Sequence, residues 1–204
     1  MKVKICGLHP ARDVQLCIDL RVDFLGFVFY EKSPRNLSFK EIKKLKNYVK
    51  KDSLFVAVTV NPTNDFIEKI ISENFDYIQL HGSEGNERLK EIKSMGLKII
   101  KTIKINSLSD INSYKNFDNA DIILFDTPGM EKSIKFPESL ISKLPRGNRY
   151  ALAGSVSEDN IEKLAKLGVT FCDLSSSLES DKEIGYKDHQ KIKKFICKVN
   201  ELKN

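Results

Sequence analysis

The chain of 204 residues has no tryptophan and only three histidines, and it lacks any apolar run long enough to cross a bilayer. A membrane-spanning helix needs roughly 18 or more such residues, so we expect no association with a membrane. The N-terminus has no charged stretch followed by an apolar one, and we predict no secretory signal peptide. Three dispersed histidines also argue against a metal-dependent sugar-phosphate epimerase.

The four cysteines are scattered along the chain, and no two of them form a Cys-x-x-Cys motif. This spacing argues against disulfides and against a cysteine-based zinc site. A reducing cytoplasm is the simplest setting for such a chain. The cysteines are Cys6, Cys17, Cys172 and Cys197.

The formal net charge of +6 raises the question of a nucleic acid partner. The lysines, however, alternate with Glu and Asp on predicted helices, as at 41–46 and 87–91, which is typical of a solvated helix face. The chain also lacks a basic tail and any interleaving of aromatic with basic residues. We therefore expect no nucleic acid partner, and the positive charge favours small anionic ligands instead.

Short apolar runs recur at intervals of roughly 20 to 30 residues. They are too short for helices and mostly apolar on both faces, which predicts buried parallel strands. The stretches between them show helical spacing, as at Ile192, Phe195, Ile196 and Val199. The predicted strands are Val3–Cys6, Phe24–Phe29, Leu54–Val60, Tyr77–Leu80, Lys98–Ile103, Ile122–Phe125, Tyr150–Ala153 and Thr170–Leu174.

Eight strand–helix pairs predict an α/β fold, a (β/α)8 TIM barrel, with residues 1–204 as a single domain. The sixth helix, around Phe136–Lys143, is the weakest unit because Pro137 and Pro145 crowd its pattern. The main alternative is an open doubly wound sheet. That fold needs fewer strands, and no Gly-x-Gly-x-x-Gly motif follows the first strand.

Several small residues predict where the helices begin and end. Ser38, Ser83 and Ser157 stand where helix N-caps are expected. Gly96 and Gly168 stand where helices must end before the next strand.

Polar and small residues follow the predicted strands at the end where a barrel carries its chemistry. This places a candidate base, a candidate acid, a cation and several small-residue loops on one rim of the barrel. Their common placement predicts a catalytic site. The segments are Cys6-Gly7, Ser33-Pro34-Arg35, Asn61-Pro62, Gln79-Leu80-His81-Gly82, Asp126-Thr127, Ala153-Gly154-Ser155 and Asp173-Leu174-Ser175-Ser176-Ser177.

These segments also carry a family resemblance. Together they resemble the phosphoribosylanthranilate isomerases of tryptophan biosynthesis, in the family's order and over nearly the whole chain. The motifs are Lys4-Ile5-Cys6-Gly7, Gly26-Phe27-Val28-Phe29 with Ser33-Pro34-Arg35, Gln79-Leu80-His81-Gly82, Phe125-Asp126-Thr127, Leu152-Ala153-Gly154, Asp173-Leu174-Ser175-Ser176 and Gly185-Tyr186-Lys187-Asp188.

The resemblance implies an Amadori rearrangement of N-(5-phosphoribosyl)anthranilate, a phosphosugar. It implies Cys6 as general base, Asp126 as general acid and Arg35 as the partner of the anthranilate carboxylate. Gln79 and His81 are predicted to bind substrate, with bracing of the rim as the alternative. Both chemical steps are proton transfers, so we expect no metal or redox cofactor.

The phosphate is expected at the loops after strands 7 and 8, where small residues let backbone N–H groups converge. Gly154, Ser155, Ser176 and Ser177 are the predicted contacts. The family usually has two glycines where this chain has Gly154-Ser155, and Ser-Ser-Gly where it has Ser175-Ser176-Ser177. A serine tolerates positive φ less well than glycine, although its hydroxyl adds a donor.

A second departure from the family lies in the segment Pro128–Ser133, which is shorter than usual and keeps one glycine. It leaves open two alternatives, a related or drifted enzyme acting on another phosphosugar and a non-catalytic ligand-binding barrel. The sequence also leaves open whether the protein is a monomer or a homodimer.

Overall fold

The computed structural model describes residues 1–45, 51–126, 138–154 and 156–202. Within these ranges strands and α-helices alternate along the whole chain. The strands are β1 Lys2–Cys6, β2 Phe24–Phe29, β3 Leu54–Thr59, β4 Tyr77–Leu80, β5 Lys98–Lys104, β6 Ile122–Asp126, β7 Tyr150–Leu152 and β8 Phe171–Leu174. The helices are α1 Ala11–Asp19, α2 Phe39–Leu45, α3 Asn64–Ser72, α4 Asn86–Ser94, α5 Leu108–Asn112, α6 Glu138–Ile141, α7 Ile161–Lys166 and α8 His189–Glu201.

The strands form a closed parallel barrel. Each strand pairs with the next one along the chain, and β8 pairs with β1 through the register Lys4 to Asp173. The (β/α)8 prediction is thereby confirmed, and the open doubly wound alternative is wrong because the eight described strands close into one barrel. The predicted strands match the observed ones closely, since short apolar runs between helices leave little freedom in their ends.

Side chains of the strands alternate between the barrel interior and the layer beneath the helices. The interior is filled at its N-terminal end by large apolar groups, where the Phe24 and Phe171 rings stack with centroids 4.9 Å apart. Ile5, Leu25 and Ile78 lie on the opposite face of their strands and are fully buried against the helices. The core therefore has two layers, and chemistry is left to the C-terminal mouth.

The helices bury the faces that their spacing predicts. In α8 the four residues at helical spacing, Ile192, Phe195, Ile196 and Val199, are all buried. The sixth helix is described over Glu138–Ile141, and residues 136–137 of its predicted range lie outside the described residues. No helix in the described ranges has both the length and the apolar character needed to span a membrane.

The predicted N-caps are right at one position and wrong at two. Ser38 precedes α2 and exchanges hydrogen bonds with Glu41, which reaches back to the Ser38 backbone N–H at 2.8 Å. Ser83 and Ser157 are not caps, because α4 and α7 begin later than their spacing suggested. Gly85 and Asn160 hold those cap positions.

The helix ends predicted from glycine are confirmed. Gly96 has φ +97° after α4, and Gly168 has φ +91° after α7. Both adopt the left-handed conformation that ends a helix most easily at glycine. The next strand begins two or three residues later in each case, which keeps the barrel connections short.

Candidate active site

Cys6 is the last residue of β1 and is half-buried at the mouth of the barrel. Its side chain belongs to the interior face, together with Lys4 two residues earlier. Gly26 on the neighbouring strand makes room for both, since a methyl group there would lie 3.0 Å from Cys6 Sγ and 3.2 Å from Lys4 Cε. The thiol therefore occupies space that any larger residue at position 26 would fill.

A buried ion pair lies below Cys6. Lys4 Nζ donates to Asp173 Oδ2 at 2.7 Å, and the two side chains are 1% and 6% exposed. Burial alone would lower the pKa of Lys4, but the Asp173 carboxylate and the Cys6 side chain together outweigh it, and the pKa of Lys4 lies above its usual value. This pair was not predicted from the sequence, although Lys4 and Asp173 both lie within predicted strands.

Opposing effects act on the ionisation of Cys6. Burial raises the pKa of its thiol, and the ammonium groups of Lys4 and Lys187 act in the opposite direction. Burial prevails, so the pKa of Cys6 lies above its ordinary value. The cationic neighbours expected for a cysteine base are present, yet they only partly offset desolvation.

Asp126 is the last residue of β6, which lies three strands from β1 around the barrel. Its side chain is 21% exposed, and His81 Nε2 lies 3.3 Å from Asp126 Oδ2. His81 itself follows β4 directly and is 29% exposed. The Asp126 carboxyl group thus has one polar neighbour and is partly open to solvent.

The structure separates Gln79 from His81, although both come from one motif. Gln79 points into the barrel, where it is buried and donates from Nε2 to Thr102 Oγ1 at 3.1 Å. His81 stands at the rim beside Asp126. The location of Gln79 suits bracing of β4 against β5, whereas that of His81 suits contact with a ligand.

Arg35 lies in the connection after β2 and crosses directly over Gly7. A methyl group at Gly7 would lie 2.4 Å from Arg35 Cδ, and Gly7 has φ +77°. Both observations require glycine there. The guanidinium forms a bidentate ion pair with Glu179, through Nε at 2.5 Å and Nη2 at 2.9 Å.

Glu179 and Lys187 lie next to Arg35 at the candidate site, and the sequence did not reveal this placement. Both are buried, and Lys187 Nζ donates to Glu179 Oε1 at 3.1 Å. Burial lowers the pKa of Lys187, while the Glu179 carboxylate acts to raise it. Lys187 belongs to a motif that supported the resemblance, but nothing in the sequence linked it to Glu179, eight residues before it.

The predicted phosphate contacts lie at the ends of β7 and β8. Gly154 is exposed with φ +92° and lies two residues after the end of β7. Ser176 and Ser177 are exposed in a short 3₁₀ turn, Ser176–Leu178, after β8. Ser155 and the segment Pro128–Ser133 lie outside the described residues. In the described ranges no three His, Cys, Asp or Glu side chains form a group that could hold a metal ion.

Comparison with known proteins assigns the family. The family model described as N-(5'phosphoribosyl)anthranilate (PRA) isomerase matches residues 3–198, nearly the whole chain. The chain belongs to the phosphoribosylanthranilate isomerase family. All segments described above at the mouth of the barrel fall within the matched range.

Individual relatives agree with this membership. The N-(5'-phosphoribosyl)anthranilate isomerase of Rhizobium rhizogenes is 36% identical over 210 residues, covering 98% of this chain and 94% of the relative. A phosphoribosylanthranilate isomerase crystal structure from Thermotoga maritima superposes with a TM-score of 0.87 at 28% identity, covering 98% of this chain and 99% of the other.

A further solved member of the family was crystallised with a ligand. That phosphoribosyl anthranilate isomerase is in complex with reduced 1-(o-carboxyphenylamino)-1-deoxyribulose 5-phosphate, and it superposes with a TM-score of 0.84 at 26% identity. The match covers 98% of this chain and 99% of that one. This chain and the ligand-binding relative thus share the fold from end to end.

Proposed function

We propose that this protein catalyses the Amadori rearrangement of N-(5-phosphoribosyl)anthranilate, the isomerase step of its family in tryptophan biosynthesis. One observation carries the proposal: a chain of this family brings Cys6 and Asp126 to the C-terminal ends of β1 and β6 in one closed barrel. An aminoaldose placed across the mouth would have a thiol on one side and a carboxyl group on the other.

The first step needs an acid, which we assign to Asp126. Its carboxylic acid gives a proton to the furanose ring oxygen while the bond from that oxygen to C1 breaks. The lone pair of the anilino nitrogen forms the C1=N bond, which gives a protonated Schiff base. His81, 3.3 Å from the Asp126 carboxyl group, lies where it can hold that group in position.

The second step needs a base, which we assign to Cys6. The thiolate takes the proton from C2, the electron pair forms the C1=C2 bond, and the C=N electrons return to nitrogen. The resulting enolamine becomes the ketone when C1 takes a proton from solvent and the C2 hydroxyl gives one up to solvent, and exchange with solvent then returns Asp126 to its acid and Cys6 to its thiolate. Every step moves only protons and electron pairs, so the reaction itself calls for no metal or redox cofactor.

The family membership and the location of the described residues support the remaining assignments. We infer that Arg35 binds the anthranilate carboxylate and that Gly154, Ser155, Ser176 and Ser177 bind the phosphate. We further propose that residues 1–204 act as one domain in the cytoplasm, for which the one closed barrel and four unpaired cysteines are the support. Light scattering of the purified protein decides between monomer and homodimer.

The test is to follow the loss of phosphoribosylanthranilate fluorescence with the purified protein. Cys6→Ser and Asp126→Asn are each expected to lower kcat by about 10²–10⁴-fold, because each removes a group that transfers a proton in the transition state. The matched controls are Cys197→Ser and Asp118→Asn, which change the same residue types at exposed positions. Undetectable turnover by the wild type would refute the function. Wild-type rates in Cys6→Ser or Asp126→Asn would refute the mechanism.

A further inference from the structure

Glu179 is a buried carboxylate whose two oxygens are both fully occupied. Oε1 accepts from Arg35 Nε at 2.5 Å and from Lys187 Nζ at 3.1 Å. Oε2 accepts from Arg35 Nη2 at 2.9 Å and from the Gly185 backbone N–H at 3.2 Å. Four donors on one side chain that is 7% exposed fix both the position and the plane of the carboxylate.

Glu179 holds Arg35 by one edge of its planar guanidinium. The bidentate bond uses Nε and Nη2, and Nη1 has no hydrogen-bond partner among the described residues. A guanidinium has five N–H donors in a rigid fork. The edge formed by Nη1 and the second Nη2 hydrogen can therefore still donate two hydrogen bonds to another carboxylate. Arg35 can thus bind Glu179 and an acidic ligand at the same time.

The cluster formed by Arg35, Lys187 and Glu179 has a surplus of positive charge, which suits an acidic ligand. Arg35 and Lys187 carry two positive charges against one negative charge on Glu179. Burial acts to raise the pKa of Glu179, but the hydrogen bonds and charges of Arg35 and Lys187 bring it down to about 2. The cluster therefore has a net charge of about +1 at neutral pH, opposite to that of an aryl carboxylate.

The cluster is also connected to Cys6. Lys187 Nζ donates to the Ser175 carbonyl at 3.1 Å, and Ser175 Oγ donates to the Cys6 carbonyl at 3.1 Å. Arg35 crosses Gly7, the residue after Cys6. A carboxylate bound by Arg35 is thereby placed relative to the proposed base through a continuous set of hydrogen bonds and contacts.

We propose that Glu179 is a positioning residue for the aryl carboxylate of the substrate: it holds the Arg35 guanidinium by one edge and leaves the other edge for the ligand. Lys187 supplies the positive charge that keeps the cluster cationic once Glu179 is included. The proposal rests on the proposed function, and it explains why a residue expected to bind a carboxylate already has one as its partner.

A purely structural role for Glu179, bracing the chain after β8, would have a different signature. Loss of a brace weakens the binding of every ligand of the site alike. Loss of a positioning residue weakens the binding of only those ligands that carry the carboxylate. The two probes are therefore reduced 1-(o-carboxyphenylamino)-1-deoxyribulose 5-phosphate and the same compound with a phenylamino group that lacks the carboxylate. Their dissociation constants are measured by calorimetry on the full chain.

The wild type should bind the carboxylate probe more tightly than the phenylamino probe. In Glu179→Gln we expect the carboxylate probe to bind about tenfold more weakly, since a misplaced guanidinium loses a bidentate charged contact. Binding of the phenylamino probe should stay within about twofold of the wild type. Glu183→Gln is the matched control, since Glu183 is an exposed residue of the same segment, and it should leave both constants unchanged.

A double-mutant cycle with Arg35→Lys shows whether Glu179 acts through Arg35. Arg35→Lys keeps the charge but loses the planar fork, and in that background Glu179→Gln should no longer change the preference between the probes. If Glu179→Gln weakens the binding of both probes equally, or of neither, the inference is overturned. The proposed function still stands in that case, provided that the wild type turns over the substrate. If Glu179→Gln does not fold, Glu179→Asp replaces it in the same cycle, with the same selective loss expected. Absence of wild-type turnover would overturn both.

Discussion

The two sides of the barrel mouth differ in how their charged groups are held. On the Cys6 side, the ion pairs Lys4–Asp173 and Lys187–Glu179 are buried, and Arg35 is largely covered. On the Asp126 side, the carboxyl group and His81 are both partly exposed. The charged groups of the Cys6 side are thus held in place by one another without a ligand, whereas those of the Asp126 side are in contact with solvent.

This contrast fits the two tasks that we assign. Removing a proton from carbon needs a base and a substrate held in fixed relative positions, which buried hydrogen-bonded charges provide. Delivering a proton to a ring oxygen needs a carboxyl group that can be reprotonated, and contact with solvent supplies that proton. The predictions below test the contrast, beginning with the buried side.

The largest effect is expected from Lys4→Met, which leaves Asp173 as an uncompensated buried charge. Removing one partner of a buried ion pair costs about 3–5 kcal/mol of the free energy of unfolding, measured by urea denaturation. Lys93→Met is the control, because the Lys93–Asp121 pair is 45% and 30% exposed and should contribute less than about 1 kcal/mol. The double variant Lys4→Met with Asp173→Leu should recover much of the loss. Equal effects at Lys4 and Lys93 would mean that the Cys6 side is not held by its ion pair.

A smaller effect is expected from Gly7→Ala. The new methyl group would meet Arg35 Cδ at 2.4 Å, and Arg35 cannot move aside without losing its bidentate bond to Glu179. Gly96→Ala is a matched control, since Gly96 also has positive φ but has no atom within 4 Å of the added methyl group. The backbone conformation alone costs about 1–2 kcal/mol at either position. Only Gly7→Ala should cost more than that and also raise KM.

Should Gly7→Ala behave like Gly96→Ala in both stability and KM, Arg35 would be free to shift, and the Cys6 side would be less rigid than its hydrogen bonds indicate. Urea unfolding and fluorescence kinetics on the same preparations give both quantities.

The pH dependence of Cys6 is the third test. Burial disfavours the charged thiolate and raises the pKa of Cys6, so the base form increases with pH through the alkaline range. The rate of alkylation by iodoacetamide, which depends on the thiolate alone, should rise about tenfold per pH unit until the thiol ionises. Cys197→Ser removes the exposed cysteine, and burial raises the pKa of Cys17 and Cys172 to about 12, so Cys6 dominates the alkylation signal. A Cys6 that reacts at its full rate at pH 7 would contradict this.

Much of the fold could be read from the sequence, because buried parallel strands leave a direct signal. Runs such as Phe24–Phe29 are apolar on both faces and bounded by helical patterns, which fixes their ends. The N-caps were less certain, since serines are common in loops. Ser83, for example, donates from its backbone N–H to Asn61 instead of capping α4.

The site could be predicted only in part. Cys6 and Asp126 end their strands, so the topology alone brings them to the mouth. The pairing of Arg35 with Glu179 joins residues 144 positions apart through loops whose course no periodicity reveals. The inward direction of Gln79 follows from the alternation of side chains along a strand. Gln79 lies two residues before His81, so its side chain is on the same interior face but one layer deeper in the barrel.

The smallest effect is expected on the open side of the mouth, from His81→Ala. The His81–Asp126 contact is 3.3 Å long and partly exposed, so its loss should change the free energy of unfolding by less than about 1 kcal/mol. Loss of a group that holds the acid in position should lower kcat by about tenfold, with little change in KM. His9→Ala is the matched control on the opposite side, where His9 Nε2 lies 3.0 Å from the Gly185 carbonyl rather than beside Asp126. If His81→Ala destabilised the protein as strongly as Lys4→Met, the Asp126 side would be held as tightly as the Cys6 side, and the contrast between the two sides would be wrong.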